Sequence, residues 1–520
     1  MRLVRHRLLA ALLGLSSGPA VRLSAQCPDG SPPPCSRASR AVAPSTNSVA
    51  VLYFENLGRD TSDAYIAEGL TEEVTARLGQ VQRLVVTSRT AVRRLQNAAE
   101  LQTGALGRAL NASYLVSGSV RRAGAQVRVT VELVRASSGA RVWGEQFDRG
   151  TADLLAIQED IARAVATGIA GQLLPAERGS LAARPTRNAE AYDHYLRGLR
   201  ALNATTPVTA GVAIRENEAA LRIDSAFGAA RASLALAYAN AVNWAYESPD
   251  LPASELLLRA TRTSERALRE NPYSSQAWLA RGVLLLFTRP QTFEGAGDAL
   301  ARAIALDPDN ALAYHWLAIT RRRLGDFDGA RSLYERAATL DPTMPLAVAD
   351  RGFIAYQLRH YAEARAWYDS AWAIDNRAWQ NLDFATLISW NLGDTARALH
   401  DARLAFGQAE GQVFAILTLA QIEGLSGDVA TGRARLEPVV ARLEAMDSVG
   451  VRDGFEAVLA LLGTGQRERA LRMLERTRPL GPWLWSYLVF PGFDSVRHDP
   501  RFERIYAESV PPNAPRLPLP

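Results

Sequence analysis

Carboxylates are the first groups in this chain that could do chemistry. Glu55, Asp60, Asp63, Glu72 and Glu73 crowd the stretch SVAVLYFENLGRDTSDAYIAEGLTEEV (48–74), where an apolar strand runs through a polar turn into an amphipathic helix. Paired acids could serve acid–base catalysis, and a strand, turn and helix can cradle a phosphate. The neighbouring residues support neither. A Walker loop needs GxxxxGK[ST], and the chain has no lysine; a dinucleotide fingerprint needs GxGxxG, and the turn holds only Gly58. Residues 48–175 contain no histidine and no cysteine, which removes soft metal ligands and the usual proton shuttle. The acids therefore read as helix caps and partners of the helix dipole. Gly14-Leu15-Ser16-Ser17-Gly18 matches the GxSxG nucleophile elbow but lacks the preceding strand of a hydrolase sheet. No catalytic residue, metal ligand or cofactor is assigned, and the chain is expected not to be an enzyme.

The cations are all arginine. With no lysine, a formal net charge of +5 reads as compositional bias rather than a nucleic-acid footprint. No RNP-type aromatic motif or helix-turn-helix accompanies it, so no nucleic-acid partner is expected. Arg321-Arg322-Arg323 is the longest arginine run; taken alone it is a solvated helix face. His315 and His360 lie far from any second ligand-like residue, so neither suggests a metal.

The first 25 residues read as a secretory signal: a basic head (Arg2, Arg5, His6, Arg7), the apolar run Leu8–Leu15, and small residues ending at Ala25. The run is too short to span a bilayer, and no later stretch is long enough. The mature protein is thus expected to be exported, periplasmic or extracellular in a bacterium, without a transmembrane segment. Gln26 before Cys27 disfavours a lipid anchor. Residues 26–46 form a Pro/Ser-rich linker in which CPDGSPPPC brings Cys27 and Cys35 together; in an oxidising compartment they form a disulfide, worth about 2.5 kcal/mol on the chain-entropy model.

A chain of 520 residues, 48% hydrophobic and 22% charged, is a soluble globular protein of more than one domain. From 47 to 175 strands and helices alternate. Val49–Phe54 is a strand buried on both faces. Ile66, Leu70, Val74 and Leu78 mark one apolar helix face; Val127, Val129, Val131 and Leu133 alternate with polar residues on a half-buried strand; Ile157, Ile161, Val165, Ile169 and Leu173 mark a closing helix. The prediction is an α/β domain with a small mixed sheet. Phe54-Glu55-Asn56, EGLTEE (68–73), GSVRR (118–122) and Trp143-Gly144-Glu145 follow in order, and this region resembles the TolB-like amino-terminal domain, related to the FlgO type. Such relatives often carry a kinase, cyclase or winged-helix module in front and tetratricopeptide repeats behind. The resemblance implies a non-catalytic domain making protein contacts at the envelope. Only the signal and linker precede it in this sequence, so the enzyme or DNA-binding half is expected to be absent.

Residues 176–188, with Gly179 and Pro185, read as a linker, and the two halves are expected to fold separately. From 189 to 480 the strand signals vanish. Asp307-Pro308, Asp341-Pro342 and Asp375-Asn376 stand 34 residues apart, the period of tetratricopeptide repeats. Ala330, Tyr334 and Ala337 recur as Ala364, Tyr368 and Ala371 one period on, and as Ala296, Leu300 and Ala303 one period back. About eight helix pairs result, an all-α solenoid closed by a C-terminal cap (Phe490, Phe493, Phe502, Tyr506) and a disordered Pro-rich tail within 481–520. In this repeat family the first helices line a concave groove. The positions that contact ligands there fall on Gln276, His315, Arg322, Arg323, Tyr356, Gln357, Asp383, Trp390 and Asn391. Arg322 and Arg323 would grip a peptide carboxylate. The expected function is an exported scaffold binding a protein or peptide in the cell envelope through this groove. The alternatives are a sensor holding a small ligand in the TolB-like domain, or an enzyme whose site the sequence hides. No oligomeric state is specified.

Overall fold

A computed structural model describes residues 45–515 except 59, 61–62, 88–91, 93–101, 183, 204–206, 244–251, 289–291, 342–343, 376–379, 410–411 and 513. The expected signal, the expected Cys27–Cys35 disulfide, all but the last two residues of the linker 26–46 and the last five residues of the chain lie outside the described residues.

The first half is a mixed sheet with helices on its faces. Its strands are β1 (Ser48–Val51), β2 (Glu55–Asn56), β3 (Val85–Val86), β4 (Tyr114–Ala123), β5 (Gln126–Arg135) and β6 (Arg141–Gly150). They run in the order β3-β1-β4-β5-β6, with β2 beside β4. β1 is parallel to β3 and β4, while β4, β5 and β6 form an antiparallel meander. Helices α1 (Ala64–Leu78) and α3 (Leu154–Ala170) cover one face, and α2 (Thr103–Ala109) lies by the other. β1 is buried throughout because its neighbours alternate: Val49 and Val51 join the α1/α3 core, and Ala50 joins a smaller cluster with Leu110, Ala112, Leu115 and Ala136. The expected strand Val49–Phe54 is interrupted before its end. The Phe54 backbone N–H donates to Thr71 Oγ1 at 3.0 Å on α1 instead of extending the ladder. The turn that follows is held by Asn56, whose Oδ1 accepts from the Gly58 N–H at 2.9 Å and whose Nδ2 donates to the Asp60 carbonyl at 3.0 Å.

The stretch read as a linker contains a helix, α4 (Pro175–Ala182), and it is fastened on both sides. Arg83 holds Glu177 at 2.9 and 2.7 Å and donates to the Ala170 and Gln172 carbonyls. Arg77 donates to the Leu181 carbonyl at 2.5 Å, and Leu181 is fully buried. The apolar core of the α/β half then continues into Tyr192, Leu196, Ala220, Phe227 and Ala230 of the array. A Cβ on Gly69 would stand 2.6 Å from a Leu196 methyl, so α1 and the first array helix are in close contact there.

The second half is a run of antiparallel helix pairs: α5/α6 (Ala189–Asn203, Pro207–Ile223), α7/α8 (Gly228–Asn243, Ala253–Glu270), α9/α10 (Ser275–Leu285, Phe293–Leu306), α11/α12 (Ala311–Arg323, Phe327–Leu340), α13/α14 (Pro345–Gln357, Tyr361–Ile374), α15/α16 (Gln380–Asn391, Thr395–Gln408), α17/α18 (Val413–Leu425, Val429–Glu444) and α19/α20 (Val451–Gly463, Arg467–Arg476). These are the eight pairs among the described residues. Ala330, Tyr334 and Ala337, with their counterparts one period on either side, are buried as the spacing predicts. The turn inside a pair needs a left-handed residue, supplied by Gly325, Gly393 and Gly427; at the matching position between them stands Arg359, with φ 64°.

Beyond a short parallel pair of strands, β7 (Val449–Gly450) and β8 (Thr477–Arg478), the chain turns back on itself. Helix α21 (Pro482–Leu488), a 3-10 turn (Pro491–Val496) and α22 (Pro500–Ser509) follow. Trp485, Phe490 and Phe493 are fully buried in the continuous core of the array. At about 1.5–3 kcal/mol per buried large side chain, this segment is an integral part of the fold.

Candidate functional site

The concave face is built by the first helix of each pair, and local sequence sets those helices. Asn310 caps α11 by accepting from the Ala313 N–H at 3.1 Å, and Asp326 caps α12 by accepting from the Gly329 N–H at 2.9 Å. Gly352 lets α13 press on Tyr368 of α14, where a Cβ would come within 2.8 Å of the ring. This rigid frame points His315, Arg322, Arg323, Tyr356, Gln357 and Asp383 inward, and all six are buried. They are not open to an incoming peptide. The chain's own segment 482–496 covers the first five, its aromatic run WLWSYLVFPGF packing on the rings of the concave face, whereas Asp383 lies against Thr418, Gln421, Phe455 and Glu456 of α17 and α19.

Phe490 meets Tyr356 at 4.9 Å and Phe353 at 5.1 Å between ring centroids. Tyr487 stacks on Phe455 at 4.4 Å. Gln357 Nε2 donates to the Ser486 carbonyl at 2.6 Å. At the rim Arg359 forms a bidentate pair with Asp494, at 2.7 and 2.8 Å. Asn391 Nδ2 donates to Tyr356 Oη at 3.1 Å and so fixes the ring that Phe490 packs on. Gln276 and Trp390 are half-buried on α9 and α15 and do not line the cavity described next.

Between segment and groove remains a cavity of about 160 Å³. His315, Trp316, Arg322 and Arg323 on α11, Asp350 and Phe353 on α13, Asn381 and Phe384 on α15, Arg452 and Glu456 on α19, and Tyr487 of the segment form its wall. The guanidinium of Arg322 lies 3.9 Å over the Phe353 ring, and that of Arg323 4.5 Å over Trp483. Arg322 Nε donates to Tyr334 Oη at 3.3 Å. Burial lowers the Arg323 guanidinium to about 10 and pushes the His315 imidazole down, which keeps that ring neutral. Burial also raises the carboxyl of Asp383 to about 8 and that of Glu456 well above the usual range. The arrangement can bind and orient. It offers no nucleophile beside a base, and no cluster of three metal-ligating side chains occurs among the described residues.

Asp350, Asn381, Arg452, Glu456 and the aromatic wall were not singled out in the sequence. The available signal was the density of aromatics in 483–493, far outside the repeat period. A second, open cleft lies between the start of α1, the β4–β5 turn and helices α5 and α6, and bears on the small-ligand alternative. Its Arg122 and Arg197 are neutralised by Asp63 at 3.1 Å and Asp193 at 2.7 Å.

Residues 45–164 match the family described as the second domain of HilA/YgeH-like transcriptional regulators. Residues 299–332 and 321–382 match tetratricopeptide repeat families. "Putative adenylate cyclase 3" of Rhizobium meliloti (strain 1021) is 30% identical over 209 residues, covering 40% of this chain and 35% of that protein, so the chain spans about a third of the length of this curated relative. Solved structures with a similar course include PilF of Pseudomonas aeruginosa (19% identical, 43% of this chain and 93% of that one, TM-score 0.30). The Cut9–Hcn1 APC/C hetero-tetramer is another (14%, 68% and 62%, TM-score 0.41). A small mixed-sheet domain is followed here by an all-helical array of tetratricopeptide repeats.

Proposed function

We propose that the protein is an exported, non-catalytic adaptor that holds a protein or peptide partner of the cell envelope on its tetratricopeptide array. The observation that carries this reading is how the concave face holds segment 482–496. Aromatic anchors, a side-chain donor to a backbone carbonyl and a bidentate arginine–aspartate pair at the rim are the contacts of a peptide groove with a peptide. The partner meets this occupant at the rim, where Arg359 pairs with Asp494, since the aromatic anchors of the segment belong to the core.

The α/β half is read as a TolB-like, FlgO-related contact domain, fused to the array through the α1–α5 junction. The match to the second domain of transcriptional regulators falls on the same residues, and no nucleic acid is assigned to it. The likeness to a cyclase is read as the shared non-catalytic part of that relative. Incubation of the purified protein with ATP and Mg2+ or Mn2+ is expected to yield no cyclic AMP; steady turnover would contradict the adaptor reading.

The test of the groove uses Asp494→Asn, which loosens the rim without emptying the core. Photo-crosslinking in host envelope extract is expected to capture the same partner with both proteins and more of it with the variant. Equal capture, or crosslinks confined to the α/β half, would place the partner elsewhere.

A further inference from the structure

We propose that the cavity beneath segment 482–496 is a binding site for a small organic carboxylate, held at Arg322 and Arg323 with its apolar body against Trp316, Phe353 and Tyr487. The assignment rests on donors that lack acceptors. Arg322 Nη1, Arg323 Nε and Nη1, and Asn381 Nδ2 are buried without a hydrogen-bond partner, and all three residues are less than a tenth exposed. Among the described residues neither guanidinium forms an ion pair. Asp350 stands 3.6 Å from His315, and Glu456 stands 3.6 Å from Arg452. Asp350 in the same wall acts on both charges without touching either guanidinium, and an unmade buried hydrogen bond is costly. A ligand that brings acceptors removes that cost.

The geometry selects the class. Phe353 and Trp483 occupy the faces of the two guanidinium groups, which leaves their N–H edges for a planar acceptor. A carboxylate matches such an edge with two parallel bonds. A doubly charged phosphate would meet Asp350 in the same wall. The volume of about 160 Å³ is close to that of a cavity known to admit benzene, so the ligand has on the order of eight non-hydrogen atoms. Half-buried Asn243, Leu312 and Leu346 form the part of the lining nearest solvent and offer an entrance. This site is independent of the partner reading: a carboxylate under the segment and a peptide at its rim are different ligands with different readouts.

The test is thermal unfolding and titration calorimetry of the full chain with sodium butyrate, hexanoate and benzoate. The controls are butyramide, benzamide, inorganic phosphate and sodium chloride at matched ionic strength. At least one carboxylate is expected to raise the melting temperature while its amide and the chloride do not, and Arg323→Met is expected to weaken that binding at least tenfold with helicity unchanged. Should Arg323→Met fail to fold, Asn381→Leu carries the test, with a loss of at least threefold expected. Absence of a shift with all three carboxylates, an equal shift with the amide, a shift with phosphate alone, or a variant that folds and binds as tightly as the parent would each overturn the proposal.

Discussion

Two buried arginines divide the molecule. Arg77, at the junction of the halves, lies 2.9 Å from Glu73 and donates to the Leu181 carbonyl, so its charge is answered within the chain even though its Nη2 has no acceptor. Arg323, on the concave face, has aromatic rings on its faces and no acceptor for Nε or Nη1. The first arginine staples two elements; the second is held ready for something the chain does not supply. Burial alone therefore does not separate structural from functional cations. A carboxylate in direct contact does.

The comparison breaks most severely if the junction is not a shared core. Leu196→Asp places a charge between α1 and the first array helix, and is expected to cost at least about 3–5 kcal/mol and to melt sheet and helices together in one calorimetric transition. Two separate transitions, with the array unaffected, would show that the halves are independent after all. The arginines themselves come next. Arg77→Met is expected to lose about 2–4 kcal/mol in urea denaturation, because Glu73 stays half-buried without its partner. Arg323→Met in ligand-free protein should be neutral or stabilising, since it removes a buried charge that no carboxylate touches. Equal losses for the two would erase the distinction.

A smaller effect sharpens the electrostatics of the groove. Burial raises Asp383 in the folded chain to about 8, above its unfolded value near 4. Its stability contribution is therefore fully present below pH 4 and is lost as pH rises toward 8. Relative to Asp383→Asn, the parent should lose up to a few kcal/mol between pH 5 and pH 8. A constant difference across that range would mean that the carboxylate is already ionised in the fold. The smallest change is expected at the rim. Arg359→Gly relieves a left-handed residue, worth about 1–2 kcal/mol, and gives up the pair with Asp494. The net change should stay within about 1 kcal/mol, while segment 482–496 exchanges its amides faster.

The fold was legible where period and burial agree. Val127 to Leu133 alternate as read, Ile66 to Leu78 face inward as read, and the 34-residue spacing of Asp307, Asp341 and Asp375 marks the ends of second helices as read. The junction was not legible, because Gly179 and Pro185 signal a break while the contacts that close it, Arg83 with Glu177 and Gly69 with Leu196, lie far apart in sequence. The concave positions were legible and their state was not. The repeat pattern places Arg322, Arg323 and Gln357 on the inner face, but what covers them is a segment outside the period, and only its tertiary path shows where it goes.

The most direct measurement of the account is amide hydrogen exchange across the full chain at neutral pH. Residues 482–496 are expected to exchange as slowly as α11 and α13, because Trp485, Phe490 and Phe493 are fully buried in the same core. Exchange of that segment within seconds, with α11 and α13 still protected, would contradict the account and return the concave face to solvent.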